Sequence, residues 1–141
     1  MKQYVESIDA KAMVAAHGYQ HVHYPKHGNI DEIIRCRKFS DWFRFPFLDY
    51  NMRLLKTVSQ HFNYDSSVTS TKMYPYKIGE MIEYPITPPT DTYYRDKGFD
   101  TRVVEVYSQR IETSKSAERS AIFLLHPNSW SLALMKELTK R

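Results

Sequence analysis

Four of the six histidines lie close together near the start of the chain, at positions 17, 21, 23 and 27. If residues 19–24 form a strand, His21 and His23 point to the same face, where neutral imidazoles can bind zinc, nickel, copper or iron. His27 and Cys36 are the remaining candidate ligands, and no Cys-x-x-Cys or His-Glu-x-x-His pattern completes a site. The sequence therefore predicts no bound cofactor, with His21, His23 and His27 as the residues that a metal would use.

The triplet His21-Val22-His23 resembles the His-hydrophobic-His core with which rolling-circle replication nucleases hold a metal beside a catalytic tyrosine. This resemblance implies a metal-dependent nuclease in which Tyr50, on a predicted helix with Lys56, is the nucleophile. The resemblance covers three residues, and little chain precedes the histidine pair, where such enzymes have another strand. A His-x-His nuclease is therefore the second alternative function.

Other catalytic patterns are missing from the sequence. The four glycines lie at positions 18, 28, 79 and 98 and form neither glycine-rich nucleotide fingerprint. No serine has the strand-turn-helix context of a nucleophile, and Cys36 lies inside a predicted helix, where its thiol pKa is not lowered. Asp100 and Glu105 have no lysine in register for a two-carboxylate nuclease site. Whether the chain is an enzyme is left open, and a non-enzymatic role is favoured.

A basic and aromatic segment is the candidate nucleic-acid-binding surface. Its residues are Arg35, Arg37, Lys38, Trp42 and Arg44, continued by Arg53 and Lys56. Cationic side chains can neutralise phosphates, and aromatic rings can stack on unpaired bases. In the alternative interpretation, Trp42 and its aromatic neighbours belong to the core and the arginines pair with nearby acids. Nucleic-acid binding is the first alternative function.

Tyrosine is unusually frequent, with 11 residues in the chain, and aromatic residues make up 14% of the sequence. Tyrosine and arginine are enriched in protein interfaces. The proline-rich segment 85–97 is predicted to be an exposed excursion and offers, with its flank, a contact set of Tyr84, Tyr93, Tyr94 and Arg95. The leading hypothesis is a non-enzymatic interaction module or a small structural subunit of a larger assembly, such as a viral or phage accessory protein. Its partner would be another protein or a second copy of the chain.

Three helices are predicted in the first half, where they must position the histidines and the basic residues. Apolar spacing predicts a helix over residues 8–17 that ends at Gly18. Residues 19–24 alternate and predict a short strand or an extended loop. Further helices are predicted over 30–44 and 48–62, each with an apolar and a basic face.

The second half is predicted to be mainly a sheet. Tyr-Pro pairs in residues 73–86 force extended backbone and predict a hairpin or edge strands. Residues 102–111 and 119–126 have the strongest strand character and are predicted to pair as a central hairpin.

A closing helix is predicted over residues 129–140, with Asn128 as its N-cap. The predicted fold is therefore α+β, with N-terminal helices, a mainly antiparallel sheet in the C-terminal half and a C-terminal helix. Residues 1–141 are predicted to form a single domain, which is the usual organisation for this length.

Composition limits the environment and the partners of the chain. The net charge is +4, which attracts acidic or phosphate-bearing partners. A single cysteine favours a reducing compartment, and no apolar run approaches the roughly 20 residues that a membrane-spanning helix needs. We expect a cytoplasmic location or an intracellular assembly, with no membrane partner.

Overall fold

The computed structural model describes residues 14–94 and 97–140. Most of the helix predicted over 8–17 lies outside the described residues. Its predicted end is not helical, because Ala16 forms an isolated parallel bridge with Phe43.

The chain divides into two compact units, and both are discontinuous in sequence. The first unit comprises Met1–Ser67 and Tyr76–Tyr84, and the second comprises Val68–Pro75 and Pro85–Arg141. The prediction that residues 1–141 form one domain stays a prediction.

The first unit contains a small sheet, and all the strands named here belong to it. They are β1 (Trp42–Phe43), β2 (Tyr64–Asp65), β3 (Tyr76–Ile78) and β4 (Met81–Glu83). The order is β1-β2-β4-β3, in which β2 lies parallel to both β1 and β4, and β3 and β4 form the predicted antiparallel hairpin. The predicted fold, with a mainly antiparallel sheet in the C-terminal half, was therefore wrong. Parallel neighbours need a crossover between them, and the chain from β1 to β2 supplies one through a helix.

Three short helices lie in the part of this unit that the structure describes. They are α1 (Tyr24–His27), α2 (Ile30–Arg35) and α3 (Met52–Val58). Of the strand or extended loop predicted over 19–24, the strand was wrong, since bends occupy residues 19, 20 and 22 and α1 begins at residue 24. The helix predicted over 30–44 begins at Ile30 as predicted but ends early, at Arg35. The helix predicted over 48–62 is shorter at both ends and spans Met52–Val58.

The helix predicted over 30–44 ends early because its aromatic C-terminal part is used by the core. A 3-10 turn, Cys36–Lys38, follows α2, and β1 comes soon after it. Phe43 and Phe45 are both 0% exposed and meet edge to face at 5.1 Å. Burying two phenylalanine side chains stabilises the fold by about 1.5–3 kcal/mol each. This gain outweighs the weak preference of the segment for helix.

The second unit is built mainly on two helices, α4 (Thr101–Ser116) and α5 (Ser129–Thr139). The strand predicted over 102–111 was wrong because this segment is the body of α4. The buried residues of the two helices form one cluster: Val103, Val104, Tyr107, Trp130 and Leu134. No helix among the described residues is both long enough and apolar enough to cross a bilayer.

Residues 119–126 form no strand, so the predicted central hairpin with 102–111 does not exist. Their backbone instead bonds the proline-rich segment, since Thr87 and Asp91 donate amides to Ile122 and Leu124. Pro85, Ile86, Thr87 and Asp91 are buried. The first residues of the segment 85–97, which was predicted to be exposed, are thus buried.

Asn128 caps α5 as the sequence predicts, and its side-chain oxygen accepts a hydrogen bond from the amide of Ser131 at 2.9 Å. We expect Asn128→Ala to lower the free energy of unfolding by about 1 kcal/mol, because one amide at the helix start loses its acceptor. Denaturant unfolding followed by circular dichroism measures this change. Ser129→Ala, at the next and exposed position, is the control and should change stability by less than about 0.5 kcal/mol.

Candidate acid–base site

A buried carboxylate, Asp91, lies at the centre of a hydrogen-bonded group in the second unit. Asp91 begins a 3-10 turn, Asp91–Tyr93, and is 0% exposed. Its carboxylate accepts three hydrogen bonds, from the His126 amide (2.6 Å), the Ser131 hydroxyl (2.7 Å) and the His126 ring Nδ1 (2.8 Å). The group thus joins the proline-rich segment, the segment 119–126 and the first turn of α5.

These hydrogen bonds keep Asp91 ionised in spite of its burial. Burial raises the pKa of a carboxyl group, because the charged form loses its hydration. The hydrogen bonds from His126 and Ser131 act in the opposite direction, and together they hold the pKa of Asp91 below its ordinary value. Asp91 is therefore a fixed negative charge at neutral pH.

The imidazole of His126 is the group that this charge orients. Nδ1 is bound to Asp91, while 46% of the His126 side chain remains exposed. With its proton on Nδ1, the neutral ring has a lone pair on Nε2, and with both nitrogens protonated it can donate a proton from Nε2. A histidine held by a buried carboxylate in this way can act as a general base and as a general acid.

Ser131 supports Asp91 and is not placed as a nucleophile. Serine, histidine and aspartate are the residue types of a serine hydrolase, in which histidine lies between the other two. Here the aspartate lies in the middle, since Ser131 Oγ donates to Asp91 and not to His126. Ser131 is also only 3% exposed.

The packing around α4 and α5 fixes the segment that carries Asp91. The hydroxyl of Tyr107 donates to the carbonyl of Pro89 at 3.0 Å, and burial raises the pKa of Tyr107 so that it stays protonated. The indole of Trp130 donates to the carbonyl of Gly98 at 3.1 Å and stacks on Tyr94 at 5.8 Å.

An open pocket of about 470 Å³ lies in the same unit, at the start of α4. Its lining includes the aromatic ring of Tyr94, the basic residues Lys97 and Arg102, and the acidic residue Asp100. The Asp100 and Arg102 side chains pair with each other at 2.5 Å. Of the two cations among the lining residues that the structure describes, Arg102 is paired with Asp100 and Lys97 is not.

The tyrosines of the predicted contact set belong to two different units. Tyr84 belongs to the first unit, where it packs 5.0 Å from Trp42. Tyr93 and Tyr94 belong to the second unit, and Tyr93 is 62% exposed with the Lys97 ammonium 4.0 Å from its ring. Arg95 lies outside the described residues. The predicted contact set stays a prediction.

A histidine cluster in the first unit surrounds an exposed phenylalanine, Phe47. His23 stacks on this ring at 4.1 Å, His21 meets it edge-on at 4.4 Å, and His23 Nδ1 lies 2.7 Å from the carboxylate of Asp49. Phe47 and Leu48 have φ angles of 58° and 52°, in the left-handed region that residues other than glycine rarely occupy. Strained backbone of this kind concentrates at functional sites, so the cluster is a second candidate site.

The predicted metal candidates do not converge. His21 and His23 contact Phe47 from two sides, and His27 is exposed on α1. His17 lies nearest to His21, with ring centroids 5.0 Å apart, and its Nδ1 is 3.0 Å from the carbonyl of Arg44. In residues 14–94 and 97–140, no group of three or more His, Cys, Asp or Glu side chains is arranged to hold a metal ion.

Tyr50 does not have the surroundings expected of a nuclease nucleophile. It precedes α3 and does not lie on a helix. Burial, together with the charges of Glu83 and Asp65, raises the pKa of Tyr50. An activated phenolic nucleophile needs the opposite shift.

The predicted nucleic-acid-binding residues lie in the first unit, but they do not all face solvent. Arg44 bonds Ser66, Arg37 pairs with Asp41, and Trp42 stacks on Tyr64 at 4.5 Å. The remaining four are exposed: Arg35, Lys38, Arg53 and Lys56. Nucleic-acid binding stays a prediction that rests on these four.

Sequence reasoning missed Asp91 and His126 because 35 residues separate them. The signal available was weak: His126 follows an apolar run at residues 121–125 and immediately precedes Pro127 and Asn128 at a helix start. A polar residue on such a loop is often functional. Nothing in the sequence pairs it with Asp91.

Comparison with solved structures finds the same fold in a crystal structure of a candidate polysaccharide deacetylase from Mycobacterium smegmatis. The TM-score is 0.66 at 14% sequence identity, and the match covers 93% of this chain and 56% of the other. The chain thus spans about half the length of that protein, and the likeness is one of fold. No protein-family model and no curated protein sequence matches the chain.

Proposed function

We propose that this chain is a hydrolase that removes acetyl groups from a polysaccharide and uses His126 as its acid–base residue. The observation that carries the proposal is the pairing of fully buried Asp91 with half-exposed His126. The fold likeness supports the proposal, since the similar protein is named for this activity. A likeness at 14% identity does not transfer the activity by itself, so the argument depends on the chemistry of the site.

Acetyl hydrolysis needs a group that can accept a proton and then donate it. Water adds to the acetyl carbonyl carbon as a base takes one of its protons, and the bond from that carbon to the sugar nitrogen or oxygen then breaks. The departing atom takes up a proton, which leaves acetate and a free amine or hydroxyl. Neutral His126 can accept the first proton on Nε2 and return it to the leaving group, while ionised Asp91 stabilises the imidazolium between the two steps.

The test is acetate release from two probes, an N-acetylglucosamine oligomer and an O-acetylated xylan oligomer, followed by NMR. We expect the wild-type protein to release acetate from at least one probe and His126→Asn to lower the rate by about 10²–10⁴-fold, the usual contribution of a general acid–base residue. His27→Asn, at an exposed histidine of the first unit, should leave the rate unchanged. Absence of acetate release by folded wild-type protein from both probes would contradict the proposal, as would full activity of His126→Asn.

A second candidate function is the non-enzymatic interaction module that the sequence favours. It is favoured by the exposed ring of Tyr93, which Lys97 covers on one side, beside the pocket at the start of α4. Such a surface fits a protein partner or a second copy of the chain. Native mass spectrometry of the protein from its own source tests this candidate, because a monomer without any partner would exclude it.

A further inference from the structure

The pocket at the start of α4 has an apolar lining that is already formed. The ring of Tyr94 lines it, together with Val103 and Val106, which lie three residues apart on α4. Tyr94 is held in place because it stacks on Trp130, with ring centroids 5.8 Å apart and planes within 5° of parallel. The Trp130 indole is itself fixed by its hydrogen bond to the carbonyl of Gly98. The pocket therefore offers a ligand a fixed aromatic surface flanked by aliphatic groups.

Charged side chains complete the lining of this pocket. The Arg102 guanidinium donates from Nε and Nη2 to the carboxylate of Asp100, at 2.8 and 2.5 Å. A guanidinium has five N–H donors, so this pairing uses only part of them. The ammonium of Lys97 has three donors and lies 4.0 Å from the centroid of the Tyr93 ring. The lining residues that the structure describes carry two positive charges and one negative charge, which favours a ligand with a negative charge.

A carboxylated sugar ring has the three chemical features that this lining can recognise. One face of a pyranose ring consists of C–H groups, which pack on an aromatic ring such as that of Tyr94. Its hydroxyl groups both donate and accept hydrogen bonds, as the Asp100–Arg102 pair requires. Its carboxylate can form a charge-assisted hydrogen bond with an ammonium group. The pocket volume of about 470 Å³ also lies within the range of roughly 300–1,000 Å³ that is usual for ligand pockets.

We propose that this pocket binds a uronic acid unit of an acidic polysaccharide, with the sugar ring on Tyr94 and the sugar carboxylate at Lys97. Asp100 and Arg102 bond the hydroxyl groups of the same unit. An acidic peptide would offer Lys97 the same carboxylate, but it has no ring of hydroxyl groups for the Asp100–Arg102 pair. A sugar therefore uses more of the lining than a peptide does.

The pocket and the candidate acid–base site are built on the same two segments. The amide of Tyr94 donates to the carbonyl of Asp91 at 3.0 Å, which closes the 3-10 turn that Asp91 begins. Trp130 is followed by Ser131, whose hydroxyl bonds the Asp91 carboxylate. A uronate in the pocket lies in the same unit as His126, so an acetylated polyuronate is the substrate class. That substrate class rests on the proposed hydrolase function, whereas the binding of a uronate does not.

Isothermal titration calorimetry of the whole chain at low salt tests the binding with trigalacturonate, its methyl ester and triglutamate. We expect trigalacturonate to bind, and its methyl ester to bind at least about tenfold more weakly, because the ester keeps the sugar but loses the charge. Triglutamate keeps the charge without the sugar and should also bind more weakly. Absence of trigalacturonate binding would overturn the proposal, as would equal binding of the ester. Equal or tighter binding of triglutamate would identify an acidic peptide as the ligand and would also overturn it.

Variants at two exposed lysines test where the carboxylate binds. Lys97→Gln should weaken trigalacturonate binding by about tenfold, and Lys97→Arg, which keeps the charge, should retain most of the affinity. Lys72→Gln is the matched control, because it removes the same charge at a residue whose carbonyl accepts a hydrogen bond from Arg119, beyond the other end of α4. This control should bind as the wild type does. Unchanged affinity in Lys97→Gln, or an equal loss in Lys72→Gln, would overturn the proposal.

The binding probes carry no acetyl group, so their binding is measured apart from hydrolysis. Trigalacturonate binding without acetate release from any probe would support this pocket and contradict the hydrolase. Acetate release from the neutral probes without trigalacturonate binding would support the hydrolase and overturn this proposal. If both hold, O-acetylated trigalacturonate should have a lower KM than the neutral probes, and Lys97→Gln should raise that KM while leaving the KM of the neutral probes unchanged.

Discussion

We expect Asp91→Asn to lower the free energy of unfolding at neutral pH by about 3 kcal/mol. Hydrogen bonds to a charged acceptor contribute about 1.5–3 kcal/mol each, and Asp91 accepts three of them at 2.6–2.8 Å. An asparagine keeps the shape but loses the charge, and its amide group turns a donor toward groups that themselves donate. Denaturant unfolding at pH 7 measures the loss. Glu105→Gln, at an exposed acid of α4, is the control and should stay within about 0.5 kcal/mol.

The stability difference between Asp91→Asn and wild type should also depend on pH. Because the pKa of Asp91 is lowered in the folded state, its contribution is present above the ordinary aspartate pKa of about 3.9 and is lost as the pH falls through the folded value. The two proteins should therefore approach each other in stability as the pH is lowered through the ordinary aspartate range and below it. A difference that stays constant from neutral pH down to that range would show that Asp91 does not act as a charge.

We expect Leu134→Ala in α5 to lower the free energy of unfolding by about 2–5 kcal/mol. Leu134 is 0% exposed and packs with Tyr107 and Trp130 in the core of the second unit, so its removal leaves a cavity. Leu132 lies two residues earlier on the same helix and is 56% exposed. Leu132→Ala should therefore cost less than about 0.5 kcal/mol in the same unfolding assay. Similar losses for both variants would mean that α5 does not pack with this face inward.

Helix α5 shows what sequence reasoning can predict well. Its start follows from Asn128, whose side chain bonds the amide of Ser131, and its buried face from Trp130 and Leu134 at helical spacing. Both signals are local: a cap is set by residues three apart, and a helical stripe by residues four apart. Local rules are sufficient where the residues that determine the start and the buried face of a helix all lie in or next to that helix.

Helix α4 was predicted as a strand because intrinsic preference and periodicity disagree in its first half. Val103, Val104 and Tyr107 are residue types that favour strands. The same residues also lie at helical spacing, and Asp100 caps the helix by accepting a hydrogen bond from the Arg102 amide at 2.9 Å. All three are buried against α5, so tertiary packing decides in favour of the helix.

The parallel sheet and the candidate site could not be predicted for a different reason: both join residues that are far apart in the sequence. Strands β1 and β2 are two residues long, and a pattern of period two cannot be recognised over two residues. Likewise, the bond between Asp91 and His126 connects residues 35 apart in the chain. The clustered histidines were visible in the sequence as a group, but their arrangement around Phe47 depends on two left-handed residues that no sequence rule predicts.

The order in which the chain supplies the strands of the sheet limits how the protein can fold during synthesis and where it can be truncated. Strand β2 needs β4 as its second neighbour, yet residues 68–75 between them belong to the other unit. During synthesis, the first unit therefore cannot complete its sheet until Glu83 has left the ribosome. Pairing of parallel strands across such separations is a slow step in folding. For the same reason, no single cleavage point yields both units intact, and a truncation after Ser67 would leave Asp65 without Glu83, the residue in register with it on β4.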